Sequence, residues 1–209
     1  VIKLKDNADY KNIEDEATRS VVLAGVGGQG TILAANMLAN ALVLHGYDVK
    51  TSEVHGMAQR GGSVISMVRF GSAVASPLVP LGEADALVVT ELLETLRNIE
   101  FLAPGGKVIA SRTRVDPLPV LQGAVEYPAD AEERIGKIAP GSIIVDAAAI
   151  AAEAGNARAA NTVLLGILSP LLPVGEDEWL ATIEKLVKEK AVDANRNAFL
   201  AGRKIAESR

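Results

Sequence analysis

The stretch Val21–Thr31, VVLAGVGGQGT, narrows the choice of fold more than any other part of the chain. Val21, Val22, Leu23 and Ala24 form an apolar run suited to a strand buried on both faces. The run enters a turn containing Gly25, Gly27, Gly28 and Gly30, and from Thr31 onward apolar residues recur at helical spacing. A helix that opens onto such a turn presents N–H groups with no internal partner and the positive end of its dipole. Glycine permits positive φ there and lets a phosphate approach without meeting a Cβ. The stretch therefore predicts either an anion-binding loop or a tight strand-to-helix turn that binds nothing. Gly25-x-Gly27-x-x-Gly30 also fits the dinucleotide fingerprint, and Glu53 stands about 20 residues on, where the ribose-binding acid is expected. It is not a Walker P-loop, because Gly30 and not lysine precedes Thr31.

With 209 residues, 49% of them hydrophobic, the chain can bury a core as one domain. Aromatics make up only 3%, so that core must be built from Ala, Val, Leu and Ile, which suits alternating strands and helices. A net charge of −5 without a basic stripe argues against nucleic acid as a partner. The absence of cysteine excludes disulfides, thiolate-held zinc and iron–sulfur clusters ligated by this chain. His45 and His55 are the only histidines and lie outside any H-E-x-x-H spacing, so no metal site is expected. The most apolar stretch, Val163–Val174, is interrupted by Gly166, Pro170 and Pro173 and is too short to span a bilayer. No signal peptide is recognised, and a soluble cytoplasmic protein is expected.

Residues 1–20 read as a polar leader, and 21–209 as the domain proper. The expected fold is α/β, a single domain with a mostly parallel Rossmann-like sheet and flanking helices. The first helix runs to about Gly46, with His45 in its last turn, and a short strand follows at Val49–Ser52. Glu53–Ser63, EVHGMAQRGGS, carries an imidazole, an amide and a guanidinium among glycines. Long, chemically loaded loops of this kind tend to bind something. The alternative is a turn in which Arg60 pairs with a neighbouring acid. Further strands are expected at Val64–Phe70, Asp85–Thr90 and Lys107–Ser111, with smaller ones at Val125–Tyr127 and Ser142–Val145. A helix is predicted over Glu91–Leu102, stopped by Pro104-Gly105-Gly106, with Glu91 and Glu94 as ordinary first-turn acids. Pro117 and Pro119 mark a loop. A surface helix at Asp130–Ile138 and four helices after residue 146 complete the chain, with Trp179 in the apolar stripe of the third of these.

GVGGQGT at Gly25–Thr31, joined to SEVHGMAQRGGSV at Ser52–Val64, resembles the gamma-type (pyruvate/ketoisovalerate) domain of 2-oxoacid:ferredoxin oxidoreductases. GEADALVVTELLETLR at Gly82–Arg97, GNARAANTVLLG at Gly155–Gly166 and Asn195-x-x-Ala198-Phe199-x-x-Gly202 extend the likeness to about Val21–Gly202. Within the family, the chain is most similar to the small (beta) subunits of the indolepyruvate-oxidising enzymes. The polar leader departs from the family's pattern. The resemblance implies an accessory subunit with no catalytic residue of its own. Thiamine diphosphate, magnesium and the iron–sulfur clusters would sit on a large partner subunit, and ferredoxin would be reached through the complex. Carried over by position, Gly25, Gly27, Gly28, Gln29, Gly30 and Thr31 would form a phosphate-side loop, with coenzyme A as the ligand it suits. Glu53, His55, Gly56, Met57, Gln59, Arg60 and Gly61 would face the partner or the acyl acceptor. The chain lacks the G-D-G…N-N pattern that holds thiamine diphosphate, and alone it would be inactive and could self-associate. Two other readings stand beside this one: a free-standing NAD(P) dehydrogenase built on the fingerprint and Glu53, and an assembly module whose glycine loop binds nothing.

Overall fold

Six strands form one sheet in the computed structural model, which describes residues 17–56 and 61–208. They are β1 (Arg19–Val26), β2 (Asp48–His55), β3 (Ser63–Gly71), β4 (Ala84–Val89), β5 (Leu102–Ser111) and β6 (Ile143–Val145), in the spatial order β2-β3-β1-β4-β5-β6. The pairs β1–β4, β4–β5 and β5–β6 are parallel. β3 lies antiparallel between β1 and β2, so the sheet is mostly parallel with one reversed strand. The short link between β2 and β3 demands that reversal, since a parallel crossover needs a dozen or more residues.

Eight α-helices are described: α1 (Thr31–His45), α2 (Leu92–Asn98), α3 (Leu118–Leu121), α4 (Ala131–Ile138), α5 (Ala147–Glu153), α6 (Ala160–Leu168), α7 (Glu176–Leu186) and α8 (Val192–Glu207). The side-chain alternation of β1 divides them between two layers. Val21 and Leu23 pack with Leu38, Leu42, Leu164, Trp179 and Phe199 on the face covered by α1, α5, α6, α7 and α8. Val22 and Ala24 pack with Leu87, Val89, Leu92 and Ile135 on the face covered by α2 and α4. α6 and α8 cross at bare backbone, because a Cβ on Gly166 would lie 2.1 Å from the Phe199 carbonyl oxygen and one on Gly202 would lie 2.0 Å from that of Val163. Trp179 is fully buried against Phe199, with ring centroids 5.4 Å apart.

Several local expectations change. β1 starts at Arg19, inside the expected leader, where the Ser20 N–H donates to Asp85 Oδ2 at 2.7 Å; residues 1–16 lie outside the described residues. The expected helix over 91–102 is only α2 followed by a 3-10 turn, Ile99–Phe101. Pro104-Gly105-Gly106 does not stop a helix but falls inside β5, where Gly105, at φ 80°, lets the chain loop out between two pairings with β4. The Pro117 and Pro119 segment holds the short helix α3, since proline is tolerated in a first helical turn. Val125–Tyr127 is not a strand. Side chains hold this segment instead, with the Tyr127 hydroxyl on Glu91 and Arg114 stacked 4.4 Å from the Tyr127 ring.

Candidate functional site

β1, β2, β4, β5 and β6 all point their carboxyl ends to one edge of the sheet, and both glycine-rich segments lie on that edge. β1 leads through α1 to one face and β4 leads into α2 on the other, so the turn after β1 sits at the switch in winding where open α/β sheets place ligands. The β1–β3 ladder continues into the two segments: the Gly27 N–H donates to the Gly62 carbonyl at 2.7 Å, and the Gly61 N–H to the Gly27 carbonyl at 3.1 Å. The segments singled out by sequence are thus hydrogen-bonded neighbours. Met57, Gln59 and Arg60 lie outside the described residues. His55 ends β2 opposite Val64, which in turn faces Gly25. Gly56 and Gly61 are exposed, as is Glu53.

Within the loop, Gly28 and Gly30 have φ of 100° and 80°, and both are exposed. Gly25 is required for a different reason, since a Cβ there would stand 1.9 Å from Thr90 Oγ1. Gln29 turns inward: its Oε1 accepts from the Val26 N–H at 2.8 Å and from Thr90 Oγ1 at 2.6 Å, tying the loop to the end of β4. Gly30 caps α1 without a side-chain hydrogen bond, and no acid occupies the first turn. The N–H groups there remain open to an anion. Thr31 is buried, at 4% exposed, and its hydroxyl has no partner among the described residues. A buried hydroxyl without a partner costs roughly 1–3 kcal/mol. The Thr31 oxygen faces Gly25, 2.9 Å from where a Cβ there would stand, on the same side as Thr90 Oγ1 and Gln29 Oε1. Thr31, Ile32, Gly28, Gly30 and Val64 line a cleft of about 440 Å³. A second cleft of about 620 Å³, on the α6 side of the same loop, is lined by Leu33, Thr90, Thr113, Arg158 and Asn161 among others.

Some supporting groups carried no local signal in the sequence. Asn161 Nδ2 donates to the Gln29 carbonyl at 2.6 Å, and Thr162 Oγ1 donates to Asn195 Oδ1 at 2.7 Å, so the motifs at 155–166 and 195–202 serve to hold α6 against the loop. Glu91 and Glu94 are buried at 1% and 2% exposure and are not surface acids. Glu91 accepts from the N–H groups of Glu94 and Val115 and from the Tyr127 hydroxyl. Glu94 accepts from Ser63 Oγ at the start of β3 and from Arg97. Burial first, and the bond to Glu91 second, push the Tyr127 hydroxyl well above its ordinary pKa. The dinucleotide fingerprint loses its acid: β3 intervenes between β1 and β2, which sets Glu53 two strand spacings, roughly 10 Å, from β1. Glu53 also lies level with Leu23, below the loop. Among the described residues no cluster of three or more His, Asp or Glu could hold a metal, and no helix is long and apolar enough to cross a membrane.

Residues 20–205 match the family described as pyruvate ferredoxin/flavodoxin oxidoreductase. Indolepyruvate oxidoreductase subunit IorB of Thermococcus kodakarensis is 41% identical over 193 residues, covering 90% of this chain and 96% of its own. The subunit of the same name from Pyrococcus horikoshii is 41% identical over 197 residues, with the same coverage. The keto/oxoacid ferredoxin oxidoreductase gamma subunit from Geobacter sulfurreducens superposes with a TM-score of 0.68 at 23% identity, over 91% of this chain and 99% of that one, a likeness of fold.

Proposed function

The chain belongs to the pyruvate ferredoxin/flavodoxin oxidoreductase family, and from that premise we propose that it is the accessory subunit of a cytoplasmic indolepyruvate-type 2-oxoacid:ferredoxin oxidoreductase. In this reading a large partner subunit supplies thiamine diphosphate, magnesium and iron–sulfur clusters, for which this cysteine-free chain has no thiolate ligands. Held there, those groups would supply the chemistry of oxidative decarboxylation, in which the 2-oxo acid loses carbon dioxide and two electrons go to ferredoxin, while the acyl group would pass to the thiol of coenzyme A with release of its proton. This chain contributes shape and hydrogen-bond donors. Gly25, Gly27, Gly28, Gly30 and Thr31 form the turn that receives a phosphate of coenzyme A, with Gln29 bracing it from within. Glu53, His55, Gly56, Met57, Gln59, Arg60 and Gly61 face the partner or the acyl acceptor.

One observation carries the reading: the two glycine-rich segments are bonded side by side at the open carboxyl edge, next to a buried hydroxyl and a first helical turn with unfilled donors. The test is reconstitution with the catalytic subunit, following ferredoxin reduction from indolepyruvate. Gly28 is exposed at φ 100°, so Gly28→Val strains the turn without touching the core. It is expected to raise KM for coenzyme A about tenfold while the subunits still co-purify, the loss of one charge-assisted hydrogen bond or more. Full activity of the catalytic subunit alone, or an unchanged KM in the variant complex, would overturn the proposal.

A further inference from the structure

The larger of the two clefts, about 620 Å³, lies at the carboxyl ends of β4 and β5, between the glycine loop and α6. Leu33, Met37 and Leu164 supply apolar lining, and Thr90, Ser111 and Asn161 supply polar lining. No acid among the described residues lines it, yet it carries the guanidinium of Arg158. The Arg158 N–H is held by Asn156 Oδ1 at 3.0 Å, whereas its guanidinium has no partner among the described residues. The other described arginines are all engaged. Arg97, Arg112, Arg114, Arg134, Arg196 and Arg203 each pair with a carboxylate, and Arg19 and Arg69 donate to backbone carbonyls. Arg158 stands apart in a chain whose net charge of −5 offers acids in excess. Two further groups favour an anion here. Ser111, 2% exposed, pairs with Thr113 at 2.8 Å, and two hydroxyls bonded to each other use one proton of two, so the pair keeps a donor to offer. The Thr31 hydroxyl, buried without a partner among the described residues, lies beside Thr90 Oγ1 and Gln29 Oε1, both groups of this cleft. The smaller cleft has no charged residue among those described in its lining.

We infer that Arg158 anchors the acyl acceptor by a phosphate group in this larger cleft, on the α6 side of the glycine loop. The inference rests on the proposed acceptor site and adds to it a formal positive charge, since the glycine turn offers neutral N–H donors alone. Guanidinium and phosphate meet through paired, charge-assisted hydrogen bonds, and an arginine without a counter-ion gives up nothing to make them. The backbone that carries Arg158 is fixed. Asn156 caps the 3-10 turn Ala157–Ala159, and that turn runs directly into α6. α6 is locked against α8 by the bare-backbone crossing at Gly166 and Gly202. Asn161, in the first turn of α6, donates to the Gln29 carbonyl, so the base of the arginine and the glycine turn are held in one frame. The Arg158 side chain itself is exposed and able to close on a ligand.

The test is made in the reconstituted complex, with indolepyruvate saturating and either coenzyme A or dephospho-coenzyme A varied. Arg158→Gln removes an exposed charge that nothing else in the fold uses. It is expected to raise KM for coenzyme A about tenfold with kcat within about twofold of the parent, the signature of lost binding and not lost chemistry. Arg158→Lys, which keeps the charge and loses the planar fork, should fall between the two. Added salt should raise the parental KM and move that of Arg158→Gln less, which a merely structural role would not produce. Ala157→Trp, at an exposed position lining the larger cleft, should raise the same KM, and Ile32→Trp, at an exposed position lining the smaller one, should leave it unchanged. A rise confined to coenzyme A assigns its ribose phosphate to Arg158, and an equal rise with the dephospho compound assigns the diphosphate; either result supports the inference. Parental KM for both acceptors in Arg158→Gln overturns it, as does a rise from Ile32→Trp without one from Ala157→Trp. An Arg158→Gln complex with kcat and KM for indolepyruvate impaired alongside also overturns it. If Gly28→Val raises KM for coenzyme A while Arg158→Gln does not, this inference is lost and the broader proposal survives. If both variants are silent, the broader proposal is lost as well.

Discussion

Replacing Gly166 by alanine should destabilise the protein, although the same change elsewhere in a helix is favourable. Gly166 lies inside α6, where alanine is preferred over glycine by about 1 kcal/mol. Against that gain stands a Cβ placed 2.1 Å from the Phe199 carbonyl oxygen and 2.9 Å from the Arg203 nitrogen, both backbone atoms of α8. A carbon and a carbonyl oxygen approach no closer than roughly 3.3 Å, so the helices must part by about 1 Å. Phe199 cannot follow without disturbing its contact with fully buried Trp179. Overpacking of this kind costs about 1–3 kcal/mol and more where backbone must move, leaving a net loss of about 2 kcal/mol. For a chain of this length that corresponds to a fall in Tm of about 4–8 °C. Gly136, inside α4 and exposed with nothing within 4 Å of its added Cβ, is the control; Gly136→Ala should raise Tm by about 2–4 °C. Both are read by calorimetry at one scan rate, with urea melts as a check. A Gly166→Ala protein as stable as the parent would refute the account of the α6–α8 crossing.

Two further outcomes follow from buried polar groups. Tyr127 keeps its proton in the fold beyond the pH at which an unfolded tyrosine loses it, so stability should fall as pH rises above about 10, and Tyr127→Phe should flatten that fall in alkaline denaturation curves. A slope unchanged by the substitution would show that Tyr127 is not its source. Ser66 is buried on β3 with a hydroxyl that has no partner among the described residues, so Ser66→Ala should stabilise the protein by about 1 kcal/mol in urea melts, and a loss of stability would reveal a partner for that oxygen.

The strand–turn–helix at 21–45 could be read from sequence because its signals are local: an apolar run, a glycine turn and a helical period. The division of the helices between two faces of the sheet is not local, and neither is the reversed strand β3. The seven residues between His55 and Ser63 do carry that information, being too few for a parallel crossover, but their polar chemistry draws the eye to function. Glu94 sits in the first turn of α2 as its spacing implies and Glu91 is instead the residue that caps it, yet their burial comes from Tyr127, Val115 and Ser63, which approach from distant parts of the chain. Asn161 is the sharpest instance. Its spacing within α6 marks a helix, while its role depends on a carbonyl 132 positions away. Pro117 and Pro119 misled in the opposite direction, since proline both breaks helices and starts them.

The pairing of Gly27 with Gly61 and Gly62 extends the central ribbon past the last residues of its two strands. In the proposed complex, a partner pressing on Gly61 or Gly62 would act through these two bonds alone on the backbone beneath the proposed anion. Docking and capture would then be two grips on one piece of backbone, and a change in either should be felt at the other even where no side chain spans the gap.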